Sequence, residues 1–171
     1  DPLDDRNMHY LGREYMYYSR WNECIDTLIK HLSLPRAVWK DERCASMRYI
    51  AFSYYNKGYL EEAIMWYKKS IEEAPYLREP YYDLGYLYYL EQDYINSEYY
   101  LKKALKVKDK SYSYINEEKA WNETIYDILS ISCFNNKKYK EAIKYIKKAI
   151  KLNSTNKRLL SNYNYMQKYN I

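Results

Sequence analysis

Few side chains in this sequence could carry out chemistry, and their spacing argues against catalysis. The two histidines, His9 and His31, have no partners spaced as a nucleophile–base–acid set. The three cysteines, Cys24, Cys44 and Cys133, are odd in number and far apart, with no CxxC or Cys/His spacing for zinc or redox work. They read as small apolar packing residues of a reducing cytoplasm. No His/Asp/Glu cluster has metal-ligand spacing and no glycine-rich phosphate loop exists, so neither metal nor cofactor is expected. Arginine is more suggestive. Seven of the eight arginines fall between Arg6 and Arg78, and arginine suits planar, bidentate recognition of carboxylate or phosphate. Other polar and aromatic residues accompany them: His31, Trp39, Glu42-Arg43 and Arg78-Glu79-Pro80-Tyr81. Each has a bland alternative. His31 near a helix C-terminus benefits from the dipole when charged, and Trp39 could plug a loop.

The elements that would position these residues are helical. Glycine and proline are scarce, at 3 and 4 residues, which favours long helices over tight turns. Aromatic content is 19%, nearly all of it from 26 tyrosines. No apolar run reaches the ~20 residues of a membrane span, and nothing resembles a signal peptide. The first residue is Asp1, from which a piece of a longer protein is expected. Charge is uneven. Residues 1–100 carry 12 Lys/Arg against 17 Asp/Glu, net −5, and residues 101–171 carry 16 against 6, net +10. The lysine-rich half reads as a solvated helix face; nucleic-acid binding is the weaker reading.

A repeat organises the chain. Met8-x2-Leu11-Gly12-x2-Tyr15 recurs as Tyr81-x2-Leu84-Gly85-x2-Tyr88, with looser copies at Met47–Tyr54 and Tyr126–Cys133. A second pattern follows each at fixed distance, as in Leu60-Glu61-Glu62-Ala63-Ile64 and Lys140-Glu141-Ala142-Ile143. These residues resemble the tetratricopeptide repeat (TPR), a helical hairpin. Gly12, Ala51, Gly85 and Ser130 are small where the first helix meets the second; Cys24, Ala63, Ser97 and Ala142 are small on the opposing helix. Axes can then approach to the short end of ~8–10 Å. Ala104 and Ala149 let the next hairpin close down, and Pro75 ends the second hairpin.

The fold expected is all-α: a right-handed superhelical TPR solenoid of four hairpins plus a C-terminal capping helix, as one domain over residues 1–171. Repeats are expected near 5–38, 44–77, 78–111 and 123–156, with the cap at 156–168 and insertions at 35–42 and 108–118. Helices are expected near 4–18, 21–34, 43–57, 60–73, 77–91, 94–107, 117–135 and 139–151.

The resemblance implies a concave groove lined by the first helix of each pair. Its inward slots contain His9, Arg13 and Tyr17, then Arg48, Phe52 and Tyr55, then Glu79, Tyr82, Tyr86 and Tyr89, with Asp127 in the fourth repeat. His31, Trp39, Arg43 and Arg78 are accessory candidates. Tyrosines offer a flat apolar face and a hydroxyl at small entropic cost. Stacked arginines would each add ~0.5–2 kcal/mol by cation–π contact. The groove suits a peptide, a sugar or a phosphate-bearing ligand. Equally, an AT-rich genome could fill amphipathic positions with Tyr, Lys, Asn and Ile, and the sequence leaves both readings open.

The strings Tyr10-Leu11-Gly12-Arg13-Glu14-Tyr15, His31-Leu32-Ser33-Leu34-Pro35, Trp39-Lys40-Asp41-Glu42-Arg43 and Arg78-Glu79-Pro80-Tyr81 carry a second resemblance. They are similar to the TPR region that follows the catalytic domain of some bacterial family-2 glycosyltransferases. That implies a GT-A domain with an Asp-x-Asp motif in the parent protein; this sequence contains neither. The function expected is a non-catalytic, cytoplasmic accessory domain that binds the acceptor glycan, its own glycosyltransferase domain or a second subunit. The alternative is a free-standing protein- or peptide-binding adaptor. Homodimerisation is compatible with either.

Overall fold

A computed structural model describes residues 4–111 and 113–169. Nine α-helices and one short 3-10 helix form among the described residues, with no strand. They are α1 Asp5–Tyr17, α2 Trp21–Ser33, α3 Lys40–Asn56, α4 Leu60–Glu73, α5 Glu79–Leu90, α6 Tyr94–Ala104, α7 Glu123–Asn135, α8 Tyr139–Leu152 and α9 Lys157–Gln167. Side-chain caps set several starts by satisfying a first-turn N–H. Asp4 accepts from Asn7 N, Asp93 from Asn96 N and Asn122 from Thr124 N.

The expected hairpins form, with three boundary corrections. α7 begins at Glu123 rather than 117, because residues 118–120 take a 3-10 turn and Asn122 caps the helix. α3 starts at Lys40, so the first insertion shrinks to the stretch between Ser33 and Lys40. α6 ends at Ala104, ahead of the expected 107. Of the insertion at 108–118, Tyr112 lies outside the described residues.

The helices fall into two compact units. Unit 1 is residues 4–80 with 113–115; unit 2 is residues 81–111 with 116–169. In unit 1, α1 packs on α2 through the Gly12 gap. A Cβ at Gly12 would sit 2.3 Å from Leu28 Cδ2 and 2.4 Å from its Cγ, so no larger residue fits without moving Leu28. Leu28, Cys24, Ile25 and Ile50 form the core there, and Ala51 and Ala63 are fully buried on α3 and α4. In unit 2, Gly85 plays the same part: its Cβ would meet Leu101 Cγ at 2.8 Å and Leu101 N at 3.1 Å. Ser97, Ser130, Ala104, Ala142 and Ala149 are fully buried, as their small size anticipated. Helix α9 closes unit 2 with Leu159 and Met166 facing inward and Leu160 and Tyr165 exposed.

Each hairpin turns through the same left-handed cap. Ser19, Gly58, Gln92 and Lys137 have φ of 56°, 84°, 59° and 61°. The following N–H reaches back to the helix, as Arg20 N to Tyr15 O (2.8 Å), Tyr59 N to Tyr54 O (3.0 Å), Asp93 N to Tyr88 O (2.9 Å) and Lys138 N to Cys133 O (2.9 Å). These bonds satisfy carbonyls that the helix end would leave unpaired. Only one of the four positions is glycine, although an L side chain is strained there. Replacing Ser19 or Gln92 by glycine should therefore raise stability by about 0.5–1 kcal/mol, and Gly58→Ala should lower it by about 1 kcal/mol. Urea denaturation followed by circular dichroism checks the signs.

Candidate functional site

The most connected polar cluster of unit 1 lies between α1, α2 and α3. Ser46 Oγ stands 2.8 Å from His9 Nδ1 and 3.0 Å from His31 Nδ1. His31 Nε2 faces Glu42 Oε1 at 3.4 Å, and the Tyr114 hydroxyl donates to Glu42 Oε2. Which atoms of the Ser46 bridge donate is set by the tautomers of the two rings. His9 Nε2 has no hydrogen-bond partner and lies among the rings of Tyr10, Tyr49 and Tyr114.

Burial pushes the His9 imidazolium down to a pKa of about 4, so the ring is neutral at physiological pH. Burial alone would raise Glu42. Hydrogen bonds from His31 and Tyr114 outweigh it and hold the carboxyl below its usual range. Burial together with the Glu42 carboxylate pushes the Tyr114 phenol well up.

A Glu–His–Ser relay can activate a nucleophile, but only where a substrate reaches it. His9, His31 and Ser46 have no exposed surface. The relay therefore joins three helices and the segment around Tyr114, and His9 and His31 belong to packing. Trp39 precedes α3 and meets Tyr114 edge-on at 5.8 Å. Arg43 donates to Glu73 (2.8 Å) and to the carbonyls of Leu32 and Ala37, clasping the first insertion. Glu42 was legible only as an extra acid beside Arg43. Ser46 and Tyr114 gave no signal, since Tyr114 lies 72 residues from Glu42.

The predicted groove residues divide by depth. Arg48, Glu79, Tyr82 and the accessory Arg78 are buried along with His9. Arg13, Tyr55 and Tyr89 are half-buried. Tyr17, Phe52 and Tyr86 are open, at 65%, 42% and 37% exposure. In unit 1 the Arg13 guanidinium lies 5.0 Å over Tyr10 and 5.9 Å over Tyr17, and Trp21 meets Phe52 edge-on at 5.8 Å. In unit 2 the rings of Tyr82, Tyr86 and Tyr89 form a row along α5, with 6.1 Å steps and interplanar angles of 5° and 16°. Asp127 on α7 is paired with Arg158 of α9.

Among the described residues, one cluster has metal-ligand proximity. Glu98, Cys133 and Glu141 present ligand atoms within 4.8 Å of one another. The Lys102 ammonium already lies 2.7 Å from Glu98 and 2.5 Å from Glu141, and burial raises the Cys133 thiol to about 12. A resident cation and a protonated thiol suit a charge clasp better than a metal centre. No helix is long and apolar enough to cross a membrane among the described residues.

Models of the tetratricopeptide repeat match residues 50–76, 79–111 and 124–156. No curated protein matches the sequence. Among solved structures, the chain is similar to MamA AMB-1 (TM-score 0.72, 15% identity, covering 98% of this chain and 83% of that one). A second MamA structure gives a TM-score of 0.75 at 14% identity, covering 97% and 82%. The first TPR of Spaghetti (RPAP3), bound to the HSP90 peptide SRMEEVD, gives 0.62 at 17% identity, covering 75% and 93%. At these identities the likeness concerns the fold.

The buried relay makes unit 1 sensitive to acid. His9 takes its proton near pH 6.5 when unfolded and near 4 when folded, so the unfolded chain gains protons first as pH falls. The stabilisation is complete above pH 6.5 and up to about 3 kcal/mol is lost on descending to pH 4. Glu42, held low when folded, adds to the loss at the acid end of that window. Urea midpoints at pH 7, 5.5 and 4.5 should fall in order, and His9→Gln should flatten the fall.

Proposed function

We propose that this chain, which belongs to the tetratricopeptide-repeat family, is a non-catalytic docking domain whose first helices hold a segment of a partner protein. The observation that carries this reading is the exposure of Tyr17 and Phe52 in unit 1 and of Tyr86 in unit 2, at slots that the repeat resemblance turns inward. Each keeps a face in solvent, although Phe52 meets Trp21 and Tyr86 lies between Tyr82 and Tyr89. Exposed rings flanked by a guanidinium are what binding hot spots are made of, because they desolvate at small entropic cost. Arg13 beside Tyr17 and the Asp127–Arg158 pair beside Tyr89 supply charges of both signs near the rings. The similar RPAP3 repeat domain holds a peptide, which supports the same class of ligand here. A cytoplasmic setting accords with three buried free thiols.

A narrower reading rests on the four strings between Tyr10 and Tyr81, which resemble the repeat region of bacterial family-2 glycosyltransferases. On it, the docked segment is the parent's catalytic domain, a second subunit or a glycan-bearing acceptor. A parent reading frame without a GT-A domain removes this version and leaves the free-standing adaptor.

Selection from a random linear-peptide library on the wild-type domain tests the docking reading. Selected peptides should lose about tenfold in affinity on Phe52→Ala or Tyr86→Ala, with the unfolding midpoint nearly unchanged. Peptides indifferent to Tyr17, Phe52 and Tyr86 would show that these faces are not the site.

A further inference from the structure

Unit 2 contains a concave surface built from residues that the α5 tyrosine row does not use. It is an open groove of about 820 Å³ between α6 and the turn joining α7 to α8. Lys102, Lys103 and Lys106 come from α6 and the residues just after it, and Lys137 and Lys138 from the turn. Two of these are committed. Lys102 and Lys138 both bind the buried Glu98 carboxylate at 2.7 Å, and Asn136 donates to its other oxygen. Lys103 rests over the Tyr99 ring at 4.8 Å. Lys106 and Lys137 are exposed and join none of the ion pairs of the described residues. Ile95 and Tyr99 on the same wall are 75% and 51% exposed.

We infer that this groove binds an acidic, amphipathic segment of a partner protein, placing its carboxylates on Lys103, Lys106 and Lys137 and its apolar side chains on Ile95 and Tyr99. Charge complementarity gives the sign of the ligand. The rim is cationic, and the floor holds one fixed carboxylate that is already compensated. A chain of evenly spaced phosphates would have to pass over Glu98, whereas a peptide can alternate carboxylates with apolar residues and avoid it. No arginine lines the groove for reading bases, and its concavity would leave a flat membrane in contact with the rim alone. The groove is separate from the tyrosine row on α5, so it can be occupied whether or not that row binds anything.

The test is fluorescence anisotropy with a short labelled peptide alternating Asp/Glu pairs with leucine, against the whole chain. Saturable binding should weaken about tenfold or more in Lys106→Glu/Lys137→Glu and on raising salt. It should weaken several-fold in Ile95→Ser, and stay unchanged in Tyr86→Ala, which separates this site from the α5 row. Circular dichroism melting confirms that each variant is folded. Absence of binding, or binding that the double lysine variant leaves intact, overturns the inference. So does tighter lysine-dependent binding of single-stranded oligonucleotide or of phosphatidylserine vesicles. Loss of the peptide's response to Ile95→Ser alone would also overturn the amphipathic part.

Discussion

Two α-helices can lie side by side at short range only where one of them presents a very small side chain, or none, at the crossing. At Gly12 and Gly85 this condition is met so tightly that a single methyl group would overlap Leu28 or Leu101. The leucine fills the space the glycine vacates, and the pair forms one contact rather than two separate features. Much of the unit interiors follows from it. With the axes drawn together, Cys24 and Ile50 close around Leu28 in unit 1, and Ala104 and Leu129 around Leu101 in unit 2. The left-handed caps at Ser19, Gly58, Gln92 and Lys137 then reverse the chain within a few residues, which keeps each helix pair antiparallel and in contact.

Burial divides the aromatic and polar residues of the first helices. Rings turned toward the pair are absorbed, as Tyr82 is. Phe52 and Tyr86 keep a face in solvent. Polar residues are sorted in the same way. His9, His31, Ser46 and Glu42 are satisfied largely by one another, a costly arrangement to bury unless nearly every member is bonded. Lys106 and Lys137 stay in water.

Much of the fold was legible in the sequence because small residues at fixed spacing have a steric meaning independent of context. Gly12, Ala51, Gly85 and Ser130 sit at helix crossings or deep in the core, as their recurrence indicated. Helix ends were less legible. Lys40 extends α3 backwards without a side-chain cap, and the Asn122 cap delays α7, neither of which the repeat pattern encodes. The depth of the candidate groove residues was not legible. Periodicity reports which way a side chain points from its own axis, not what covers it. Arg48 and Glu79, at slots the repeat resemblance turns inward, are buried. The relay was the least legible part, since its members come from three helices and from a segment inside the second insertion, where Tyr114 meets Glu42.

A double-mutant cycle on Gly12 and Leu28 measures the central contact directly. Gly12→Ala alone overfills the crossing and Leu28→Ala alone opens a cavity, each costing about 1–3 kcal/mol or more. If the two residues share one volume, Leu28→Ala makes room for the added methyl. The double variant should then be more stable than the sum of the single losses implies, by about 1 kcal/mol or more. Strict additivity would contradict the account, because the close approach of α1 and α2 would then not depend on that contact.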